Sequence, residues 1–214
     1  MRIIAVPVRS LSEAKSRLAP ALSPLERGAL TLAMLEDVLD ATLAIPGWET
    51  WVISPDEVVL EVAARRGARA LTEVKPPLAG AVRQVEQEAA DAGAEALAVL
   101  LGDTPLMTAD ALTRALHTLG RVVVAPDAQA SGTNLLIRRP PKAIPARFGP
   151  DSYRRHLESA ETKGMPAAVV ELEELAFDLD GPGDILTLLQ TRREGRTRQV
   201  CLDMDLRSRI QIRI

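Results

Sequence analysis

The stretch that decides the fold is ALAVLLGDTPLM, residues 96–107, in which an unbroken apolar run is followed by an acidic turn. Such a run is typical of a strand buried on both faces at the centre of a parallel sheet. Asp103 comes directly after it, where a charge is costly without a partner. A metal ion would be such a partner. The alternative is an aspartate that caps the next helix, but Thr108 is better placed for that cap.

Short apolar runs alternate with amphipathic stretches along the rest of the chain, which predicts an α/β sheet with crossover helices. Strands are predicted over residues 2–8, 50–54, 68–71, 96–101, 121–125, 133–138 and 168–172, with a further apolar run into Asp178. Helices are predicted over residues 24–45, 55–66, 78–92, 109–119, 153–164 and 183–194. The predicted helix caps are Ser23, Ser54, Thr108 and Ser152.

The end of the chain differs from the rest. QVCLDMDL (199–206) and RIQIRI (209–214) alternate apolar and polar residues with period two, which predicts two strands. No linker or internal repeat divides the chain, so we expect one domain over residues 1–196 and a C-terminal β tail over residues 197–214. A late β segment of this kind would suit a subunit interface, as in a homodimer.

The composition argues against several classes of protein. The chain has 214 residues, of which 47% are hydrophobic and 26% charged, as expected for a soluble globular domain. A net charge of −3 and an aromatic content of 2% argue against binding to nucleic acid or to an anionic membrane. The polar N-terminus, MRIIAVPVRS, and the single cysteine, Cys201, lead us to expect a cytoplasmic protein.

The same counts limit the metals that the chain could bind. Two histidines and one cysteine cannot build a zinc site rich in histidine or cysteine. Any catalytic metal should therefore have oxygen ligands, and Mg²⁺ held by carboxylates is the simplest choice.

A basic loop, RSLSEAKSR (residues 9–17), follows the first predicted strand and carries Arg9, Lys15 and Arg17. Open α/β sheets bind ligands beyond the carboxyl ends of their strands, so this loop is placed to meet a polyphosphate. It is not a glycine-rich phosphate loop, because the glycines are missing. The alternative is an ordinary solvated basic loop.

LAFDLDGPGDI (residues 175–185) holds Asp178 and Asp180 one residue apart. Carboxylates at this spacing repel each other, so they could be metal ligands, parts of a phosphatase site, or only a turn. FDLDG resembles the first motif of haloacid-dehalogenase-type phosphatases. That fold needs a large domain after the motif, and too few residues follow Asp180 to build one.

Two further stretches together suggest an anion pocket. Gly149 and the amides at a helix start capped by Ser152 would attract an anion. Thr133, at the start of a neighbouring strand, could add its hydroxyl group. Taken separately, each stretch is also compatible with an ordinary turn.

Five stretches, taken in order, resemble the 2-phospho-L-lactate guanylyltransferase (CofC) family. The similarity runs from about residue 3 to residue 186, which is nearly everything except the tail. The stretches are VPVRSLSEAKSRLAPALSPLERGALTLAMLEDVL (6–39), LLGDTPLM (100–107), APDAQASGTNLLI (125–137), FGPDSYRRHLESA (148–160) and LAFDLDGPGDI (175–185).

The resemblance implies a single-domain nucleotidyltransferase fold like that of glycosyltransferase-A enzymes, with a mixed, mostly parallel sheet and helices on both faces. It also implies that GMP from GTP is joined to a phosphorylated three-carbon acid (2-phospho-L-lactate, phosphoenolpyruvate or 3-phosphoglycerate). Pyrophosphate would be released, and the reaction would belong to coenzyme F-420 biosynthesis.

The resemblance also assigns roles to single residues. The implied Mg²⁺ ligands are Asp103, Asp178 and Asp180, and the implied contacts to the acid are Thr133, Gly149 and Ser152. The implied contacts to the nucleotide are Arg9, Lys15, Arg17 and Gly80, with Lys15, Arg17 and Asp103 as the catalytic groups. The chain departs from the family at Pro77-Leu78-Ala79-Gly80, where a Gly-Leu-Asn turn is usual near the base site.

Two alternatives remain open at this point. The first is a related nucleotidyltransferase of the molybdenum-cofactor or sugar-phosphate type, although the glycine-rich first loop usual in those families is absent. The second is a non-catalytic nucleotide-binding protein, which the altered turn at residues 77–80 favours and the three retained aspartates oppose.

Overall fold

The computed structural model describes residues 1–74 and 76–211, and these residues contain one seven-stranded sheet. Its strands are β1 (Arg2–Pro7), β2 (Glu49–Ser54), β3 (Arg69–Thr72), β4 (Ala96–Leu100), β5 (Val122–Pro126), β6 (Thr133–Arg138) and β7 (Ala168–Val169). They lie in the order β3-β2-β1-β4-β6-β5-β7. β6 is antiparallel to both of its neighbours, and the other neighbouring strands pair in parallel. The predicted mixed, mostly parallel sheet is confirmed.

Helices cover both faces of the sheet, as predicted. They are α1 (Pro24–Leu43), α2 (Glu57–Arg66), α3 (Leu78–Asp91), α4 (Ala109–His117), α5 (Ser152–Thr162), α6 (Glu173–Ala176), α7 (Pro182–Gln190), α8 (Arg196–Asp203) and α9 (Leu206–Gln211). α1, α2 and α4 pack on one face, and α3 and α5 pack on the other. Within the described residues, no helix is both long enough and apolar enough to cross a bilayer.

The strand order reverses between β1 and β4, which lie side by side at the middle of the sheet. Every residue of β4 is at most 2% exposed, as its unbroken apolar sequence predicts. A reversal of this kind opens a crevice beyond the carboxyl ends of the two strands. Gly102 lets the chain turn closely past β1, because a Cβ atom there would lie only 3.2 Å from Val8 Cγ2.

Two of the four predicted helix caps are confirmed. Ser23 forms a capping box with Glu26 at the start of α1, and Thr108 accepts a hydrogen bond from the backbone N–H of Ala111. The caps of the other two helices lie elsewhere. Asp56 caps α2, and Ser54 instead accepts a hydrogen bond from the Asp56 N–H.

α5 also begins differently from the prediction. Ser152 is its first residue rather than its cap. The cap position belongs to Asp151, whose backbone is left-handed with φ 54°. The preceding turn at Gly149 brings the chain into the helix at this point, because the Ser152 N–H donates to the Gly149 carbonyl.

The predicted C-terminal β tail is wrong wherever the structure describes it. α8 and α9 occupy most of residues 196–211, and residues 212–214 lie outside the described residues. Although the sequence alternates with period two, its buried residues are spaced four positions apart, as in a helix. The buried pairs are Thr197 with Cys201 and Leu206 with Ile210. The apolar members of these pairs pack within their own chain, in a cluster with α1 and α7. A tail that extends into a subunit interface is therefore not needed to cover them.

The region before α7 also differs from the prediction. The strand predicted over residues 168–172 pairs only at Ala168 and Val169, and the apolar run that follows forms the short helix α6. Leu175 is buried in this helix and packs against the core on the α1 face. Tertiary packing thus overrides the local pattern here.

Asp37 of α1 attaches α8 to the rest of the fold. Its carboxylate is 8% exposed and accepts hydrogen bonds from the backbone N–H groups of Arg196, at 2.8 Å, and Thr197, at 2.9 Å. It also accepts a hydrogen bond of 2.6 Å from the Thr197 hydroxyl. The carboxylate therefore satisfies the first orphan N–H groups of α8.

Asp37→Asn should lower the free energy of unfolding by about 1.5–3 kcal/mol, because hydrogen bonds to a charged acceptor are lost inside the fold. Urea unfolding followed by circular dichroism measures the change. Asp40→Asn is the matched control, since the exposed Asp40 pairs at the surface with Arg66 and Arg196. The control should change stability by less than about 1 kcal/mol. Equal losses in the two variants would contradict the role given to Asp37.

Candidate active site

A cleft of about 850 Å³ lies at the reversal between β1 and β4. Its walls come from the segments that follow β1 and β4, from the start of β6, and from the segments that precede α5 and α7. The predicted site residues that line it are Arg9, Lys15, Arg17, Asp103, Thr133, Gly149, Ser152, Asp178 and Asp180. Residues from five separate parts of the sequence thus meet in one cleft.

Gly80 is the predicted site residue that the structure leaves out of the cleft lining. It is buried in the first turn of α3, and its N–H donates to the Pro77 carbonyl. Leu78 is the residue of this turn that lines the cleft. The predicted contact of Gly80 with a nucleotide is therefore not supported, because the helix start encloses this residue.

Lys15 lies at the centre of the charged part of the cleft. Its Nζ atom is 2.8 Å from Asp103 Oδ2 and 3.1 Å from Asp180 Oδ1, and its side chain is 8% exposed. Burial alone would lower the pKa of Lys15, but the two carboxylates outweigh burial and raise it above the ordinary value. Lys15 is therefore a fixed positive charge.

The backbone of Lys15 is also unusual, with φ 51° and ψ 45° in the left-handed region. Few residues other than glycine adopt this conformation, and the surrounding structure must hold it. Here a short 3-10 helix (Ser16–Leu18) follows directly, and Leu18 is completely buried. The buried Leu18 therefore anchors the loop that places Lys15 in the cleft.

Arg17 is the second cation of the loop at the cleft. Its guanidinium group lies 3.2 Å from Asp180 Oδ2, and its side chain is 76% exposed. An exposed pair of this kind is weak. Arg17 can therefore turn toward an anionic ligand at little cost.

The two acidic segments are joined by the backbone, although they are far apart in the sequence. The N–H of Leu179 donates a hydrogen bond of 3.0 Å to the carbonyl of Asp103. Asp184 then fixes the start of α7, where its carboxylate accepts hydrogen bonds from the N–H groups of Asp180 and Gly181. Because Leu179 is buried between them, Asp178 and Asp180 are both brought to the cleft beside Asp103.

The cluster formed by Lys15, Arg17, Asp103, Asp178 and Asp180 has more acidic than basic side chains. Asp103 Oδ1 is buried and has no hydrogen-bond partner within the described residues. Burial, followed by the charges of Asp103 and Asp180, raises the pKa of Asp178 to about 6, although Asn134 acts in the opposite direction. Three carboxylates thus face two cations, and a further cation would relieve their repulsion.

The carboxylate oxygens of Asp103, Asp178 and Asp180 are the ligands that Mg²⁺ prefers. As the side chains stand, the described part of the chain holds no group of three acidic, histidine or cysteine side chains arranged around a metal position. The ammonium group of Lys15 lies between Asp103 and Asp180 instead. The donor set fits a hard divalent cation, and the metal site stays a prediction.

The two halves of the predicted anion pocket lie together. Because β6 is antiparallel to β4, its first residue, Thr133, lies beside the end of β4. The N–H of Tyr153 donates to the Ser131 carbonyl at 3.2 Å, which joins the segment before β6 to the start of α5. Thr133, Gly149 and Ser152 consequently line the same part of the molecule.

Three residues that shape the cleft were not predicted from the sequence. Asp127 accepts hydrogen bonds from the N–H groups of Ser131 and Gly132 and so fixes the loop before β6. Asn134 donates to the carbonyl of Leu175, which attaches β6 to the segment that carries Asp178. His156 contacts the hydroxyl of Thr133. The first two lie in APDAQASGTNLLI, and an aspartate before a Ser-Gly turn is a signal for this kind of loop.

Comparison with known families gives one match over nearly the whole chain. The family described as "Guanylyl transferase CofC like" matches residues 1–208. A phosphoenolpyruvate guanylyltransferase of Sphaerobacter thermophilus is 43% identical over 187 residues, which are 86% of this chain and 90% of the relative. A 3-phospho-D-glycerate guanylyltransferase of Phenylobacterium zucineum is 37% identical over 211 residues, which are 95% of this chain and 97% of the relative.

Solved structures agree with the fold at much lower sequence identity. A protein of Desulfovibrio desulfuricans G20, classed with nucleotide-diphospho-sugar transferases, has a TM-score of 0.78 and 16% identity, and the match covers 99% of this chain and 98% of that one. A nucleotidyl transferase of Methanothermobacter has a TM-score of 0.61 and 18% identity, and the match covers 87% of this chain and 95% of that one. The fold is therefore that of nucleotidyltransferases, as predicted.

The pKa of His156 yields a test of how the cleft wall is built. Burial lowers this pKa to about 3, assisted by the nearby charges of Arg138, Arg155 and Arg147. An unfolded chain has a histidine pKa near ~6.5, so between about pH 6.5 and 3 the unfolded state binds a proton that the folded state does not. Stability should therefore fall as the pH falls through this range, by about 2 kcal/mol from this residue between pH 7 and pH 5.

Urea unfolding at pH 7 and pH 5 measures this effect when the wild type is compared with His156→Gln, whose amide does not titrate. The pH-dependent loss should be smaller in the variant by roughly the amount given above. His117→Gln is the matched control, because His117 is exposed on α4, and it should behave like the wild type. An identical pH dependence in His156→Gln and the wild type would contradict a buried, neutral His156.

Proposed function

The chain belongs to the CofC-like guanylyl transferase family, and from this premise we propose that it transfers GMP from GTP to a phosphorylated three-carbon acid with Mg²⁺ as cofactor. Pyrophosphate is the second product. Phosphoenolpyruvate and 3-phospho-D-glycerate, the acids named in its relatives, are the acceptors to test first. The observation that carries the proposal is the meeting of Lys15, Arg17 and three carboxylates beside an anion pocket in one cleft. The place of the reaction would be coenzyme F-420 biosynthesis.

The reaction is a displacement at the α-phosphorus of GTP. A phosphate oxygen of the acid attacks in line, a new P–O bond forms, and the P–O bond to pyrophosphate breaks. The acid's own phosphate is a sufficient nucleophile, so no covalent intermediate on the protein is required. The chain has to bring two anions together and balance their charge.

Lys15 and Arg17 act on the phosphates of the nucleotide. Arg17 is exposed and can swing from Asp180 to a β- or γ-phosphate oxygen. Lys15 is held in place by Asp103 and Asp180 and supplies a point charge near the leaving group. Both cations stabilise pyrophosphate as negative charge develops on it.

Asp103, Asp178 and Asp180 would hold the Mg²⁺ ion. When bound, the ion would neutralise phosphate oxygens that otherwise repel the attacking phosphate. Burial and the neighbouring carboxylates raise the pKa of Asp178, and Asp103 Oδ1 has no hydrogen-bond partner within the described residues, so a bound cation would stabilise both carboxylates, which supports this assignment. The turn after β4 and the segment before α7 set the separation of the three side chains.

Thr133, Gly149 and Ser152 would bind the phosphorylated acid. The N-terminal end of α5 lies here, and its dipole favours an anion. Gly149 has φ 112°, a left-handed value that suits glycine, which allows the backbone to approach the ligand closely. The acceptor is thereby oriented toward the nucleotide phosphates.

Asp103→Asn should lower the rate of pyrophosphate release from GTP by at least about a hundredfold, since a charge that organises the phosphates is lost. Release is measured with phosphoenolpyruvate and with 3-phospho-D-glycerate, each with and without Mg²⁺, and with ATP in place of GTP. Asp110→Asn, an exposed acid on α4, is the control and should keep wild-type rates. Full Mg²⁺-dependent turnover by a folded Asp103→Asn protein would refute the metal assignment.

Lys15→Ala should mainly weaken the nucleotide step, and we expect kcat/KM for GTP to fall about tenfold or more because a charge that stabilises the leaving pyrophosphate is removed. The KM for the acid should change much less. Lys142→Ala, which removes an exposed lysine beside Gln87, serves as the control. If Lys15→Ala has the wild-type KM and kcat for GTP, Lys15 is not part of the nucleotide site.

A further inference from the structure

We propose that His156 is a positioning residue that fixes the Thr133 hydroxyl as a hydrogen-bond donor toward an anionic oxygen of the phosphorylated acid. The inference rests on the proposed function, because it concerns the acceptor side of the same cleft. His156 is completely buried on α5, so it acts only through its neighbours.

The hydrogen bonds of His156 determine which ring nitrogen carries the proton. Its Nε2 atom lies 2.8 Å from the backbone nitrogen of Arg147. A backbone N–H can only donate, so Nε2 must be the unprotonated nitrogen. A neutral imidazole then carries its proton on Nδ1.

Nδ1 lies 3.0 Å from Thr133 Oγ1. Since Nδ1 carries the proton, it donates and the Thr133 oxygen accepts. A hydroxyl group that already accepts a hydrogen bond still has its own proton to donate. Thr133 lines the cleft with only 2% of its surface exposed, and its hydroxyl has no other partner within the described residues, so its proton is left for a ligand that packs directly against it.

The chemistry of this arrangement selects the ligand. Without His156, a threonine hydroxyl can either donate or accept and presents no fixed dipole. With the oxygen engaged by Nδ1–H, the remaining group is a donor, which suits a phosphate or carboxylate oxygen. The dipole of α5, whose N-terminal end lies on the same side of the cleft, favours an anion as well.

His156 also has a packing role, and the experiment must separate the two. Its ring meets the ring of Phe148 edge-on, with centroids 5.3 Å apart. Its Nε2 atom supports the loop that contains Arg147 and Gly149. A simple truncation would disturb both roles together.

Two substitutions each keep one of the two hydrogen bonds. In His156→Asn the side-chain NH₂ can take the place of Nδ1 and still donate to Thr133. In His156→Gln the side-chain oxygen can take the place of Nε2 and accept from the Arg147 N–H, but the donation to Thr133 is lost. His156→Gln should raise the KM for the acid by about tenfold or more, the usual effect of weakening a hydrogen bond to a charged group. Its KM for GTP should not change, and His156→Asn should show the smaller rise in the KM for the acid.

A double-mutant cycle with Thr133→Val provides the readout that packing alone would not produce. Thr133→Val removes the hydroxyl and keeps the shape, and it should raise the KM for the acid. Adding His156→Gln to Thr133→Val should then have no further effect on this KM, because the hydroxyl through which His156 acts is already gone. Thr133→Ser keeps a hydroxyl and should raise the KM for the acid less than Thr133→Val does.

All variants are checked by circular dichroism and assayed for pyrophosphate release with GTP and either acid. Additive effects of His156→Gln and Thr133→Val, or a wild-type KM for the acid in His156→Gln, would overturn the positioning role and leave the proposed function intact. If His156→Gln does not fold, His156→Leu, which also cannot donate to Thr133, takes its place in the cycle, and the double variant with Thr133→Val must then raise the KM for the acid by less than the product of the two single effects. A wild-type protein that releases no pyrophosphate with either acid overturns the proposed function itself, and the inference with it.

Discussion

The ion pairs of Lys15 with Asp103 and Asp180 are the interaction on which the rest of the site depends. They join the loop after β1, the turn after β4 and the segment before α7. Burying a lysine side chain to 8% exposure costs desolvation energy that ion pairs often fail to return, so stability alone does not account for the arrangement. A surplus of carboxylates remains around the ammonium group, and this surplus is what a nucleotide phosphate bound together with a divalent cation would balance.

The C-terminal helices α8 and α9 pack against the segments that carry Lys15 and Asp180. Leu18, which follows Lys15 and Arg17, shares one apolar cluster with Leu179 and with Ile210 of α9. Arg209 of α9 also donates to the carbonyl of Ala21 at 2.7 Å, which holds the other end of the same loop. The cation loop and the acidic segment therefore rest on a common base. Residues 197–211, which were predicted to belong to a separate tail, in fact pack against the base of the site.

Sequence patterns predicted the centre of the molecule well and its periphery less well. β4 was identifiable because a completely buried strand has no polar positions, and the charges after it stood out for the same reason. The C-terminal helices could not be identified in this way. In short segments such as residues 199–206 the apolar residues fit both the period of two of a strand and the spacing of four of a helix, and only packing decides between them. Gly80 was assigned to the nucleotide site from the family resemblance, but it lies buried in the first turn of α3. The role of His156 depends on contacts across the fold, which no local pattern contains, whereas the bonds of Asp127 to Ser131 and Gly132 are local and leave a signal in the sequence.

The most direct measurement is a crystal structure of the protein with Mg²⁺ and a non-hydrolysable GTP analogue. We expect the triphosphate against Lys15 and Arg17, with the ion at about 2.0–2.1 Å from oxygens of the Asp103, Asp178 and Asp180 carboxylates. A nucleotide bound outside this cleft, or an ion that contacts none of the three carboxylates, would contradict this expectation.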